Sequence, residues 1–144
     1  MVKNDLFAGK EMSDLPLIIG HRGASFYAPE NTLAAFQMAI DVSTDGVEFD
    51  VQLAKDGVPV VIHDATLERT ASRPERVADL TSKQLARVDI GSWFNKKFPK
   101  KSKPEFASET VPTLTQVLEL LKDTKGLIYI ELKCGDKDYE PLAK

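Results

Sequence analysis

Four short apolar runs, each ending at or beside charged or titratable groups, organise this chain. LPLIIG over residues 15 to 20 leads into His21-Arg22-Gly23, and VPVVI over residues 58 to 62 leads into His63-Asp64. Between them Val47-Glu48-Phe49-Asp50-Val51 alternates apolar and acidic positions, and Ile128-Tyr129-Ile130-Glu131-Leu132-Lys133 does the same near the end. These runs predict strands over 15–20, 46–53, 58–62 and 127–132; the first is nearly continuous, as in a parallel strand buried on both faces. Asp56-Gly57 marks a tight turn that makes the second and third strands close neighbours. Leu33, Phe36 and Ile40 recur at helical spacing and predict a helix over 32–42, capped by Asn31 or Thr32. Leu114, Val117, Leu118 and Leu121 predict a second helical stripe, opened by the capping-box pair Thr113 and Gln116 and stopped at Gly126.

The stretch from about 65 to 112 is less regular. Thr81 and Gln84 predict one short capped helix, and Trp93 with Phe94 predict an anchor tying a long loop to the core. The lysine-rich run from Lys96 to Lys103 reads as a solvated loop, with a basic lip beside an anionic substrate as the alternative. Residues 1–14 read as a polar leader. Chemistry carried at the carboxyl ends of several strands is the layout of a parallel barrel. The predicted fold class is therefore α/β, a TIM (β/α)8-type barrel. Its first four strands fall in residues 15–144, with the irregular stretch of about 65–112 following the third. A whole barrel needs about 250 residues. The chain is accordingly expected to be a fragment, to close by association, or to be a truncated product. An open half barrel exposes a strand edge, which predicts self-association.

Composition narrows the class without changing it. The chain has 144 residues, enough for one domain with a core, and a net charge of −3, which gives no general reason to bind nucleic acid or an anionic membrane. No apolar run approaches the roughly 20 residues of a membrane span, so stable membrane insertion is not expected. A single cysteine, Cys134, allows no internal disulfide and makes a reducing, cytoplasmic location the default.

Residues two apart on a strand share a face, roughly 7 Å from each other. Glu48 and Asp50 therefore lie together, opposite Val47, Phe49 and Val51, and Glu131 lies beside Lys133. Converging carboxylates suit a hard divalent cation, Mg2+ or Ca2+, and the alternative is a salt bridge from Asp50 or Glu131 to Lys133 or Arg22. His21 and His63 titrate near neutrality and suit acid–base work. The planar fork of Arg22 and the point charge of Lys133 suit phosphate oxygens. Together these groups form a kit for phosphoryl transfer, and no GxxxxGK[ST] string supports nucleotide binding.

HRGASFYAPENTLAAF, GVEFDVQLAKDGVPVVIHDATLERT, VADLTSKQLARVDIGSWF and VPTLTQVLELL followed by IYIELK resemble the glycerophosphodiester phosphodiesterases, in that family's order, from about residue 17 to 133. The resemblance implies a barrel with a segment inserted after the third strand and a divalent metal held by Glu48, Asp50 and Glu131. It implies His21 and His63 as general acid and base, in an order left open, and Arg22 and Lys133 as phosphate holders. Glu30 and Asn31, from the PENT string, are expected to shape the first loop at the rim of the site through capping and hydrogen bonds. The implied reaction is hydrolysis of small-molecule glycerophosphodiesters to glycerol 3-phosphate and an alcohol, through a cyclic phosphate. Rivals are a lysophospholipase D or sphingomyelinase D-like lipid phosphodiesterase, and a truncated, inactive half barrel. The enzymatic readings require His21, Glu48, Asp50, His63 and Glu131 to gather around one mouth able to admit a phosphate ester.

Overall fold

The computed structural model describes residues 16–133; the leader expected over 1–14 and Cys134 lie outside the described residues. The sheet is centred on β2 (Gly46–Leu53), which has the bounds expected from its alternation. β1 (Ile19–His21) runs parallel to it, with Gly20 opposite Val47 and His21 opposite Glu48. β4 (Leu127–Leu132) also runs parallel to it, with Gly46 opposite Leu127 and Asp50 opposite Glu131. Residues 46 to 48 of β2 pair with both β1 and β4, so these two strands occupy opposite edges.

β3 (Pro59–Val61) departs from the parallel-barrel expectation: it runs antiparallel to β2, with Val51 opposite Val61 and Leu53 opposite Pro59. The cause is covalent. Five residues separate Leu53 from Pro59, enough for a hairpin through Asp56-Gly57 and too few for the dozen-residue crossover that a parallel neighbour needs. Val51 also pairs with Leu132, so β3 follows β1 along the same edge of β2 and extends it. Of the four expected strands, three are parallel and the third is a hairpin arm that carries His63 to the same end of the sheet.

Two helices cover one face. α1 (Leu33–Asp41) begins at Thr32, whose hydroxyl accepts from the Ala35 amide; Asn31 is not the cap. α5 (Leu114–Leu121) begins with the capping box of Thr113 and Gln116. Phe36 and Ala39 of α1, with Val117 and Leu121 of α5, pack on Val47, Phe49 and Val51. The acidic positions of β2 consequently face away from the helices. Two details differ from the sequence reading. Leu118 is exposed rather than part of the buried stripe, and α5 ends at Leu121, well before Gly126. Gly126 instead lets the chain pass close to Asp45, whose carbonyl oxygen lies 3.1 Å from where a Cβ would sit.

The segment between β3 and α5 is compact. Its α2 (Glu68–Ala71) and α3 (Ser82–Leu85, with the expected Thr81–Gln84 capping box) surround a core of Leu67, Val77, Leu85, Val88 and Ile90 that is shared with Val60 and Ile62 of the hairpin. In α4 (Ser92–Lys97), Phe94 is fully buried against Ala28, Ala35 and Phe106, as an anchor should be. Burial of one such aromatic contributes on the order of 2 kcal/mol. The lysine run is structured rather than a plain solvated loop. It finishes α4 and forms a 3-10 turn over Pro99–Lys101, because Phe98 packs against this aromatic group while Lys101 lies over the Phe26 ring and donates to the Phe26 carbonyl at 2.8 Å. On the far edge of the sheet, Leu127 to Ile130 are exposed.

Two left-handed glycines test the packing. Gly23 has φ +80° and a Cβ there would come within 2.7 Å of the Ala35 backbone; Gly57 has φ +77° with open space around it. Gly57→Ala should cost about 1–2 kcal/mol from backbone strain, and Gly23→Ala roughly 2 kcal/mol more because α1 must move. Urea denaturation of the two variants measures this, and equal losses would contradict it.

Candidate active site

The register of the sheet, more than the nature of any one residue, assembles the site. Because Asp50 lies opposite Glu131 and two residues beyond Glu48, carboxylate oxygens of all three fall within 4.8 Å of one another. Asp50 is fully buried, Glu48 half-buried and Glu131 exposed. His21, at the end of β1, places Nε2 3.8 Å from Glu48 Oε2 and is largely exposed. Arg22 follows in the left-handed region, φ +58°; its amide donates to the Glu48 carbonyl at 2.8 Å, which turns the side chain across the ends of the strands.

There Arg22 Nε stands 3.3 Å from Asp50 Oδ2, and Nη1 donates to Glu30 Oε1 at 2.9 Å. Asn31, also left-handed at φ +56° and almost fully buried, donates from Nδ2 to Asp50 Oδ2 at 2.9 Å. Lys133, just past β4, places Nζ 3.3 Å from Asp50 Oδ1 and 2.6 Å from Glu131 Oε1. The salt-bridge alternative is thus realised for both cations. Glu30 and Asn31 do more than shape a loop: both bond directly to the charged groups of the site.

His63 is held from two directions. Its Nδ1 lies 2.6 Å from Asp64 Oδ1, and Asp64 Oδ2 accepts from Arg69 Nε, also at 2.6 Å. The Arg69 guanidinium reaches on to both oxygens of Glu30, at 2.8 and 2.7 Å. From below, the Gln52 side-chain amide faces the carbonyls of Ile62, His63 and Asp64 at 3.1, 2.9 and 2.8 Å and clamps the end of the hairpin arm. Sequence reasoning did not single out Arg69 or Gln52. Arg69 lies within the HDATLERT string, six residues after His63, and its presence there was the available signal. Gln52 is the next same-face position after Glu48 and Asp50 along β2, which points it toward the same end of the site.

The charges are arranged to keep the carboxylates ionised. Burial alone would raise the pKa of Asp50, but the Asn31 hydrogen bond, the Arg22 charge, Lys133 and nearby His63 outweigh it, and the net pKa lies below the ordinary range. Glu30 is lowered in the same sense, its burial outweighed by Arg69 and then Arg22. Asp64 is lowered as well, its burial outweighed by Arg69 and His63. Burial would lower Lys133, yet its bonds to Glu131 and Asp50 raise it. An ionised Asp64 can only accept, so the proton between it and His63 belongs to Nδ1, and whenever the ring is neutral its Nε2 carries the lone pair.

The donor set also fits a divalent cation. It offers three carboxylates with hard oxygens, and the buried Asp50 Oδ1 is met only by the Lys133 ammonium at 3.3 Å, without a well-aligned hydrogen bond. Glu48, Asp50 and Glu131 meet at the strand ends with His21 beside Glu48, and His63 is linked to them through Asp64, Arg69, Glu30 and Arg22; His21 and Glu131 are exposed. A cavity of about 430 Å3 lies at the opposite end of the sheet, between Thr44, Asp45, Gly46, Lys125, Gly126 and Leu127, away from every charged group just described.

The profile of the Glycerophosphoryl diester phosphodiesterase family matches residues 21–142. A glycerophosphodiester phosphodiesterase of Caldanaerobacter subterraneus is 45% identical over 119 residues, covering 83% of this chain and 46% of the relative. One from Bacillus subtilis is 40% identical over 123 residues, covering 85% and 42%. Among solved structures, an Oleispira antarctica phosphodiesterase in complex with the product sn-glycerol-3-phosphate superposes with a TM-score of 0.74 at 36% identity, over 86% of this chain and 47% of that one. A glycerophosphodiester phosphodiesterase from Agrobacterium tumefaciens gives 0.71 at 38%, over 85% and 49%. The chain belongs to the glycerophosphodiester phosphodiesterase family, and its fold is part of that family's TIM barrel. It spans about half the length of the curated relatives it matches.

The depressed carboxylates make a prediction for stability against pH. Their native pKa values lie below the unfolded ones of about 4, so their stabilisation is full above that pH and is lost as pH falls through the native values. Urea midpoints should hold steady above about pH 5 and fall steeply below it. Glu30→Gln should flatten part of that acid slope, and an unchanged slope in the variant would contradict the ionised network.

Proposed function

We propose that this site hydrolyses glycerophosphodiesters to glycerol 3-phosphate and an alcohol. The observation that carries the reading is the meeting of Glu48, Asp50 and Glu131 within 4.8 Å, flanked by two histidines and two cations at the ends of the strands of this family's barrel. Glu48, Asp50 and Glu131 would hold one divalent cation, Mg2+ or Ca2+, which when bound supplies charge neutralisation for phosphate oxygens. Lys133 and Arg22, now turned onto Asp50 and Glu131, would turn toward the phosphate, the fork of Arg22 taking two oxygens and Lys133 a third.

His63 presents a bare Nε2, held by Asp64, and takes the proton of the glycerol hydroxyl next to the phosphorus as that oxygen attacks. A P–O bond to the hydroxyl forms, the P–O bond to the leaving alcohol breaks, and His21 on the open side gives that alcohol its proton. Water then opens the cyclic phosphate with the two histidines in exchanged roles. Glu30 and Asn31 serve as holders of Arg22 and Asp50 rather than as reacting groups. A lone cysteine suits a reducing, cytoplasmic compartment.

Release of glycerol 3-phosphate from glycerophosphocholine should require a divalent cation and stop with a chelator. His63→Ala should lower turnover by about 10^2-fold or more while calorimetry finds metal affinity nearly unaltered. Undiminished turnover in that variant removes His63 from the reaction. Preferential turnover of lysophosphatidylcholine would move the substrate class to lipids.

A further inference from the structure

Asp64 and Glu30 come from different loops, one after β3 and one after β1, and each holds a different member of the candidate site. Asp64 Oδ1 meets His63 Nδ1 at 2.6 Å, and Glu30 Oε1 accepts from Arg22 Nη1 at 2.9 Å. A single guanidinium joins their remaining oxygens. Arg69 donates from Nε to Asp64 Oδ2 and from both terminal nitrogens to the two oxygens of Glu30, at 2.6 to 2.8 Å. Among the described residues Arg69 is the only lysine or arginine paired with Asp64. Trp93 of the segment between β3 and α5 stands 5.9 Å from the Arg69 guanidinium and limits where it can lie.

We propose that Arg69 is a positioning residue for the hydrolysis described above, one fork that fixes Asp64, and through it the ring of His63, together with Glu30, and through it the guanidinium of Arg22. This inference rests on the roles given to His63 and Arg22 under the proposed function. Geometry is what the fork supplies. Arg69 is about two-fifths exposed, and partly exposed pairs add little to stability. A planar group with donors on two edges sets the angle between two carboxylates in a way that a lysine cannot. Arg69 touches neither the three-carboxylate cluster nor any position assigned to substrate, so it acts through its partners.

Nitrogen-15 spectra of the histidine rings and arginine Nε–H groups test this in the chain itself, without turnover. The chain has two histidines, and His21 has no contact with Arg69, so it reports on the fold. In the native chain neutral His63 should carry its proton on Nδ1. In Arg69→Met it should shift to the Nε2–H form that a free imidazole prefers, the Arg22 Nε–H resonance should move, and His21 should stay unchanged. Arg69→Lys, which keeps the charge and loses the fork, should keep the Nδ1–H form only in part. It is the variant to read should the methionine variant disturb His21. A His63 ring and an Arg22 resonance that are native-like in the variants would overturn the proposal. The test is separable from the functional reading: a native chain that binds metal and never turns over glycerophosphodiesters refutes that reading and leaves these spectra interpretable.

Discussion

Asp50 is the constraint on which the rest of this structure depends. A fully buried carboxylate without partners is expensive, and this one is met by three groups from two separate parts of the chain: Asn31 and Arg22 after β1, and Lys133 after β4. Meeting those partners requires β1 and β4 to flank β2 in the observed register. It also requires the turn after β1 to hold two non-glycine residues, Arg22 and Asn31, in the left-handed region. Each such residue costs on the order of 1 kcal/mol. The strain sits where charged groups must be aimed, and the buried ion cluster holds it in place.

From that centre the remaining groups follow outward by short bonds. Glu30 takes the outer side of Arg22, Arg69 takes Glu30 and Asp64, and Asp64 takes His63. The hairpin arm matters here because it lets a three-residue antiparallel strand deliver His63 to the same end of the sheet as the parallel strands, with Gln52 fastening its end. The segment between β3 and α5 then returns Arg69 over the site and braces it with Trp93. The apolar packing beneath, Phe36 against Phe49 at 5.4 Å between ring centres, makes the floor rigid while the polar layer above stays open.

Much of this was legible in the residues. The two-residue period of Val47 to Val51 put Glu48 and Asp50 on one face, and the caps Thr32, Thr81 and Thr113 fell where short polar side chains precede apolar stripes. Strand direction was legible too, since five residues after Leu53 admit only a hairpin, although the repeated pattern of strand and charge favoured a parallel reading. Register could not be read. Nothing local pairs Asp50 with Glu131 across some 80 residues of chain; that pairing is made by the parallel ladder between β2 and β4. Arg69 was illegible for a different reason. It sits on a four-residue helix too short to have a period, and its partners come from two other loops.

The account stands on the claim that the oxygens around Asp50 form a cation seat shared with Arg22 and Lys133. Crystals soaked in manganese test it most directly through an anomalous difference map. One strong peak bonded to oxygens of Glu48, Asp50 and Glu131, with the Lys133 ammonium turned away, is the predicted result. A map without a peak there, with Lys133 still paired to Asp50 and Glu131 at saturating manganese, would contradict it and leave the cluster as a structural ion pair.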